Sequence, residues 1–294
     1  MTEVPIRIAA FYYFKNVSEE QLQSYSQKIC LKGQELDIRG LVICGNEGIN
    51  FTVEGKPWNV DQFLKTVYEL YGVENPSVKY SSAEKHVFRK FKVQLRDEIV
   101  TTGFETPFPD ESSDNHLSPA EWDRVMKEED VVVLDTRNDY ETKIGVFRGA
   151  VDPNIKVFSE FPEFVENSGI PKDKKVLMYC TGGIRCEKGI YEMQRQGYEN
   201  VYQLKGGILN YLKEFPNQEF EGECFVFDGR ISVDQDLKPS TKYVFCPHCG
   251  DPAETHIECA HCDIEAIICE KCIATGIDTC SKNCAYHQKR VANL

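Results

Sequence analysis

Cys180 stands where a thiol can do chemistry. It follows the apolar run 175–179 and precedes Thr181-Gly182-Gly183-Ile184-Arg185-Cys186-Glu187. A strand end, two glycines and a helix start would put the sulfur at the sheet edge where open α/β folds bind ligands. Gly182 and Gly183 let backbone N–H groups turn inward as an anion-holding nest, and the following helix adds its positive end. Both effects lower a thiol's pKa, so Cys180 is the candidate nucleophile, as thiolate or persulfide. Arg185 can fix an anionic substrate group or shape the loop. Cys186 can resolve an oxidised Cys180 or merely pack behind it, and spacing alone does not decide. The plainer reading of Cys180 is a small buried hydrophobe, which suits a lone cysteine better than one in this setting.

A second cluster lies near the C-terminus. Cys246-Pro-His-Cys249, Cys259-Ala-His-Cys262, Cys269-Glu-Lys-Cys272 and Cys280-Ser-Lys-Asn-Cys284 are four short chelating pairs. Eight thiolates suit two tetrahedral Zn²⁺ sites of two pairs each, joined consecutively or interleaved. The role would be structural, because this stretch has no core-forming periodicity and needs a staple. Disulfides formed in air and an iron–sulfur cluster are the competing readings. No flavin, haem or iron-binding motif is evident elsewhere.

Composition bounds the rest. The chain has 294 residues, 41% hydrophobic and 28% charged, which fits two or three globular domains. No apolar run approaches the ~18 residues of a membrane span. The stretch ahead of 6–14 is acidic where a secretory signal would be basic, so a cytoplasmic protein is expected. Thirteen cysteines in such a reducing compartment read as catalytic or metal-binding rather than disulfide-paired. A net charge of −13 argues against a protein that coats nucleic acid generally, though not against a local basic face.

Three regions must position these residues. Over 1–97, strands at 6–14, 39–44 and 49–53, helices at 19–32 and 59–71, and closing strands near 77–81 and 87–95 give a ferredoxin-like βαββαβ order. Ser18 with Gln21 is a capping box, and Gly45-Asn46-Glu47-Gly48 is a hairpin signal. Residues 98–117, with Pro107, Pro109, Asp110, Glu111, Ser112, Ser113 and Asp114, read as an exposed linker. Over 118–219, strands at 131–134, 175–179 and 201–204 alternate with helices at 119–127, 158–166, 187–196 and 207–215, a compact α/β unit with a mostly parallel sheet. In the cysteine-rich region 220–294, residues 225–233 alternate like an edge strand. The fold class is thus multidomain, α+β followed by α/β.

A cysteine-phosphatase loop carries its arginine six positions after the nucleophile. Here Arg185 follows by five, and Tyr179 stands where a histidine is usual. The segments Leu134-Asp135-Thr136-Arg137-Asn138-Asp139-Tyr140-Glu141, Phe147-Arg148-Gly149-Ala150 and the Cys180 loop instead resemble a rhodanese domain in order and spacing. That resemblance implies a persulfide-carrying Cys180, with Asp135 and Arg137 supporting the loop as an ion pair. Together with Gly45-Asn46-Glu47-Gly48-Ile49-Asn50, the run from Cys180 to Lys188 and the cysteine tail, nearly the whole chain resembles the bacterial tRNA uridine hydroxylase family. The pattern departs from that family at Phe51, where a glycine is expected. The resemblance implies that molecular oxygen is used to install 5-hydroxyuridine at the wobble position of tRNA, with the anticodon stem-loop as partner.

An acidic protein of that kind needs a local cationic surface. Between residues 79 and 96 stand Lys79, Lys85, Arg89, Lys90, Lys92 and Arg96 against the single anion Glu84. Alternation in a strand over 87–96 would put Lys90, Lys92 and Arg96 on one face, either toward RNA or as the solvated edge of a sheet. Lys282, His287, Lys289 and Arg290 are a lesser candidate, and Tyr140, Tyr179 and Arg185 are candidates for stacking a splayed base. Plain sulfur transfer through Cys180, and an RNA-binding adaptor without catalysis, are the alternative functions. The oligomeric state is not readable.

Overall fold

The computed structural model describes residues 5–104, 106, 108–109 and 114–292. Pro107, Asp110, Glu111, Ser112 and Ser113 of the linker reading, and the side chain of Lys289, lie outside the described residues. The first region contains β1 (Ile6–Phe14), α1 (Glu19–Glu35), β2 (Arg39–Gly45), β3 (Gly48–Gly55), α2 (Pro57–Tyr71), β4 (Lys79–Ala83) and β5 (Phe91–Leu95), with sheet order β4-β1-β3-β2-β5. Alternation along the strands sends Ala9, Phe11, Val42 and Phe51 into the core with Phe63 and Val67 of α2. Ser18 opens α1 through a reciprocal capping box, its hydroxyl accepting the Gln21 N–H at 3.2 Å and its own N–H donating to the Gln21 side chain at 2.9 Å.

The four strands β4-β1-β3-β2 make the expected ferredoxin-like frame. A fifth, β5, extends it by pairing parallel to β2. It begins at Phe91, not Val87, because buried Glu54 captures the preceding segment. Its carboxylate accepts the Val87 and Phe88 N–H groups at 2.9 and 3.1 Å and contacts the His86 ring at 3.1 Å. Lys90 therefore lies outside the strand, and Arg96 follows its end. Residues 98–104 also depart from an exposed linker: Ile99 and Thr102 are buried. The Glu98 carboxylate accepts both the N–H and hydroxyl of Thr102, at 2.8 and 2.5 Å, and folds the segment back on itself.

The central region contains β6 (His116–Leu117), α3 (Pro119–Glu128), β7 (Val131–Asp135), α4 (Asp139–Thr142), β8 (Gly145–Phe147), α5 (Phe161–Asn167), β9 (Lys175–Tyr179), α6 (Ile184–Arg195), β10 (Val201–Leu204) and α7 (Gly207–Glu214). A parallel sheet in the order β6-β10-β9-β7 has apolar clusters on both faces, which is why its strands are nearly continuous apolar runs. Helix α4 lies inside the 134–141 motif, for which no helix was expected; its Glu141 carboxylate reaches back to accept the Asn138 N–H at 3.1 Å. Helix α6 begins at Ile184, three residues earlier than expected, so Arg185 and Cys186 lie in its first turn.

Beyond β11 (Phe220–Gly222), which pairs with β8, the expected edge strand over 225–233 is instead the hairpin of β12 (Cys224–Phe225) and β13 (Ser232–Val233). Asp228 turns the chain there by accepting the Arg230 N–H at 3.0 Å and the Arg230 guanidinium at 2.8 and 2.5 Å. Short hairpins and two helices, Glu270–Ala274 and Lys282–Ala292, then carry the clustered cysteines. No helix among the described residues is long and apolar enough to cross a membrane.

Candidate active site

Strand β9 delivers Cys180 to the carboxyl edge of the parallel sheet, and the chain then turns tightly into α6. Gly183 has φ 102°, a conformation L side chains rarely adopt, and its N–H donates to the Cys180 sulfur at 3.0 Å. The loop can point its N–H groups inward because its carbonyls are held from outside. The first amides of α7 do this: Ile208 N–H donates to the Cys180 carbonyl at 3.0 Å and Leu209 N–H to that of Thr181 at 3.2 Å. Gly207 makes the approach possible, since a Cβ there would stand 2.5 Å from the Cys180 carbonyl oxygen. The expectation that glycines and a helix start would cradle the sulfur thus omitted a second helix end.

Arg185 does not point freely at a substrate. It makes a bidentate pair with the buried Glu141 of α4, at 2.5 and 2.8 Å, and Glu141 also accepts the Thr181 hydroxyl at 3.1 Å. Ile184 starts the helix and lines the cavity beside the loop. Asp135 and Arg137 form a fully buried pair at 2.7 Å, and Arg137 also donates to the Gly145 carbonyl at 2.5 Å, bracing β7 against β8. Cys186 packs in the same apolar cluster as Cys180, with its sulfur 3.5 Å from the Thr136 hydroxyl. The two thiols are driven apart in acidity. Burial opposes ionisation of Cys180, but the Cys186 thiol, the Arg185 charge and the N–H groups of Arg185 and Gly182 outweigh it, bringing its pKa down to about 5. Burial and the neighbouring Cys180 push Cys186 well up.

The consequence is measurable. An ordinary thiol ionises near pH 8.5, so lowering the pKa makes thiolate the main form of Cys180 at neutrality and removes it only on acidification. The rate of Cys180 alkylation by iodoacetamide, followed by peptide mass spectrometry, is expected to be flat between about pH 8 and 6.5 and to fall below that. A rate that climbs through about pH 8.5 would mean the loop leaves the sulfur protonated.

Cys180 is only 1% exposed, yet it opens onto a cavity of about 790 Å³, within the range of ligand-binding cavities. The roof is the face of the N-terminal sheet opposite its helices, including Ala10, Tyr12, Leu41, Ile43 and Thr52. That explains apolar residues on both faces of this sheet. The floor is the Cys180 loop, and Phe227 and Arg230 close one side. The two regions are clamped together by the residues directly following the reactive loop. Lys188, 2% exposed, pairs with Glu47 and Glu98 at 2.9 Å each. Glu187 accepts the Tyr12 hydroxyl at 2.8 Å and meets the His116 ring at 3.1 Å. Glu47 belongs to the Gly-Asn-Glu-Gly hairpin, so the two most distinctive motifs of the chain meet at this clamp. Arg230 adds a third tie, donating to the Ser81 hydroxyl at 2.8 Å.

Of the basic residues singled out in the sequence, Lys79 and Arg96 line this cavity, whereas Lys90 and Lys92 do not; Lys213, which the sequence reading passed over, lines it too. Tyr179 cannot stack a base, because it is fully buried against Trp122 and Phe147. Phe227, which the sequence reading passed over, is 55% exposed at the cavity wall beside the Arg185 guanidinium. In the tail, Cys246, Cys249, Cys269 and Cys272 form one cluster and Cys259, Cys262, Cys280 and Cys284 the other. The pairing is therefore interleaved. Sulfur–sulfur contacts of 3.4–3.8 Å match the edge of a tetrahedron with 2.3 Å metal–sulfur bonds, about 3.8 Å, and lie far beyond the disulfide bond length of about 2.05 Å. Both clusters can hold a metal ion.

Comparison with known proteins agrees with this organisation. Three family models match in succession: a UPF0176 acylphosphatase like domain over residues 6–99, a rhodanese-like domain over 118–214 and a rhodanase C-terminal model over 221–285. The chain is 52% identical over 287 residues to the tRNA uridine(34) hydroxylase of Bdellovibrio bacteriovorus, covering 96% of this chain and 81% of that one. It is 41% identical to that of Rhizobium leguminosarum bv. trifolii, covering 88% and 87%, and 36% identical to that of Prochlorococcus marinus, covering 98% and 95%. These relatives match the chain along nearly its full length, and the chain belongs to the tRNA uridine(34) hydroxylase family.

Proposed function

We propose that this protein oxidises the wobble uridine, position 34, of transfer RNA to 5-hydroxyuridine in the cytoplasm, with molecular oxygen as co-substrate and Cys180 as the reacting thiol. The observation that carries the reading is a sulfur held by the Gly183 N–H at 3.0 Å and lining a cavity large enough for a splayed-out nucleotide. Chemistry on a base requires the base to leave its stack, and a single-stranded anticodon loop yields one at small cost. A thiolate can add to C6 of uracil, which makes C5 nucleophilic toward oxygen. The Arg185 charge and inward N–H groups hold the sulfur ionised for that step, and the sheet roof keeps bulk water off the reacting carbon. The test is direct: purified protein, an anticodon stem-loop bearing uridine 34, and air, with the nucleosides read by mass spectrometry. Absence of 5-hydroxyuridine would overturn the reading. The rhodanese-like domain favours a second reading, sulfur transfer through a Cys180 persulfide, and a thiosulfate–cyanide assay separates the two.

The anticodon stem-loop would enter along Lys79, Arg96 and Lys213, whose charges suit a phosphate backbone, with Lys90 and Lys92 outside the cavity as weaker contributors. Phe227 is the natural platform for a base flanking the target, since its ring is presented to solvent and backed edge-on by Phe225 at 5.0 Å. One base–aromatic stack is worth about 1–3 kcal/mol, so Phe227→Ala is expected to weaken binding of the stem-loop about five- to 150-fold, with Phe227→Trp near wild type. Equal affinities in a titration of all three proteins would remove that assignment.

The eight tail cysteines would hold two zinc ions in closed all-thiolate sites, a structural role with no open position for substrate. Metal analysis of anaerobically purified protein is expected to give two zinc ions per chain. Chelation is expected to unfold the tail, seen as protease cleavage confined to residues 244–292, because the short hairpins there have little core of their own. Protein that contains no zinc and resists cleavage would exclude this role.

A further inference from the structure

Inserting one atom of O₂ into the C5–H bond leaves the other to be reduced to water, and that takes two electrons beyond those the uracil gives up. We infer that Cys180 and Cys186 supply them together, closing to a disulfide in every turnover; the inference rests on the hydroxylase reading above. Cys186 is fully buried in the first turn of α6, packed in the same apolar cluster as Cys180 directly behind the loop that carries it. The Thr136 hydroxyl, itself donating to the Tyr179 carbonyl at 2.9 Å, sits 3.5 Å from that thiol and holds it from behind. The other cysteines are committed elsewhere. Cys30 lies on α1 in the N-terminal region, where its sulfur accepts from the Gln34 amide at 3.7 Å, Cys44 is in the N-terminal core, Cys224 packs in a different apolar cluster of the central region, and eight form the tail clusters. A sulfur placed only to fill the core has no need to face the reactive one.

The stoichiometry closes. Uridine, O₂ and two thiols give 5-hydroxyuridine, water and one disulfide. Cys180 adds to C6, and C5 takes up O₂ as a hydroperoxide. Cys186 accepts the distal oxygen as the O–O bond breaks, becoming a sulfenic acid and leaving C5 hydroxylated. Loss of the C5 proton expels Cys180 from C6 and restores the double bond. The freed Cys180 then attacks the Cys186 sulfur, forming the S–S bond and releasing water. An external small thiol must reduce the pair before the next cycle.

The full-length protein, reduced and then freed of small thiols without air, is mixed with a uridine-34 stem-loop and then with aerated buffer. One 5-hydroxyuridine per chain is expected, matched one-to-one by a Cys180–Cys186 disulfide in the peptide map, with turnover resuming on adding dithiothreitol. Without RNA the pair should stay reduced. Cys186→Ser is expected to bind the stem-loop normally yet to form far less product in thiol-free buffer, with no disulfide at Cys180. Product accumulating beyond one per chain in thiol-free buffer, or forming while Cys186 stays reduced, overturns the inference and leaves the hydroxylase reading intact. If no 5-hydroxyuridine forms even with dithiothreitol, the hydroxylase reading falls and this inference with it.

Discussion

Cys180→Ser is expected to lower 5-hydroxyuridine formation by about 10³-fold or more, the scale seen when a covalent nucleophile is removed from an intact site. The change is almost isosteric, so the loop, the Arg185–Glu141 pair and the cavity stay in place. What is lost is ionisation. The Gly183 N–H and the Arg185 charge lower a thiol through neutrality, but a hydroxyl starts far higher and stays protonated in the same cradle. Stem-loop affinity should be unchanged, which separates loss of chemistry from loss of binding. A serine variant that still makes 5-hydroxyuridine at the wild-type rate would exclude covalent participation and leave the thiol a packing role.

Lys188→Met is expected to have the largest effect outside the reacting sulfur. Its ammonium is buried between two carboxylates, and removing it leaves Glu47 and Glu98 facing each other without a counter-charge. Breaking a buried pair in this way costs about 3–5 kcal/mol. The loss falls on the docking of the N-terminal sheet over the Cys180 loop, so the cavity roof should loosen while each region keeps its own core. Hydrogen exchange is expected to rise at residues 45–50 and 98–104, and hydroxylation to fall, with the central β9 amides protected as before. Unchanged exchange at the hairpin would mean that the clamp does not hold the domains. There is a pH signature as well. Burial works against the Glu98 carboxylate, but the Thr102 hydroxyl and Lys188 hold its pKa below the usual range. Its contribution is therefore complete above about pH 4.3, the ordinary carboxylate value, and is lost as pH falls through the lowered value in the folded protein. The methionine variant should lose the Lys188 share of that dependence and keep the share that the Thr102 and Gly103 hydrogen bonds supply.

What could be read from the chain alone was local. Cys180, two glycines and a helix start lie within a few residues, so their hydrogen bonds are set by backbone geometry that short-range sequence already carries. The same holds for the capping box at Ser18, the apolar strands 131–134 and 175–179, and the four chelating cysteine pairs. Short-range patterns misjudged length where a carboxylate captured the backbone. Glu54 cut β5 back to Phe91, and Asp228 broke the stretch after Phe225 into a hairpin.

The site itself was decided by tertiary packing. Arg185 finds Glu141 across 44 residues and Lys188 finds Glu98 across 90, and spacing along the chain says nothing of either encounter. Which cysteine pairs share a cluster, that α7 holds the loop carbonyls through Gly207, and that the bare face of the first sheet roofs the sulfur all follow from how the regions pack. The physical reason is that a thiolate needs local donors to exist but a closed chamber to be useful. Donors come with the turn, whereas the chamber exists only where two sheets, a buried lysine and its two carboxylates meet.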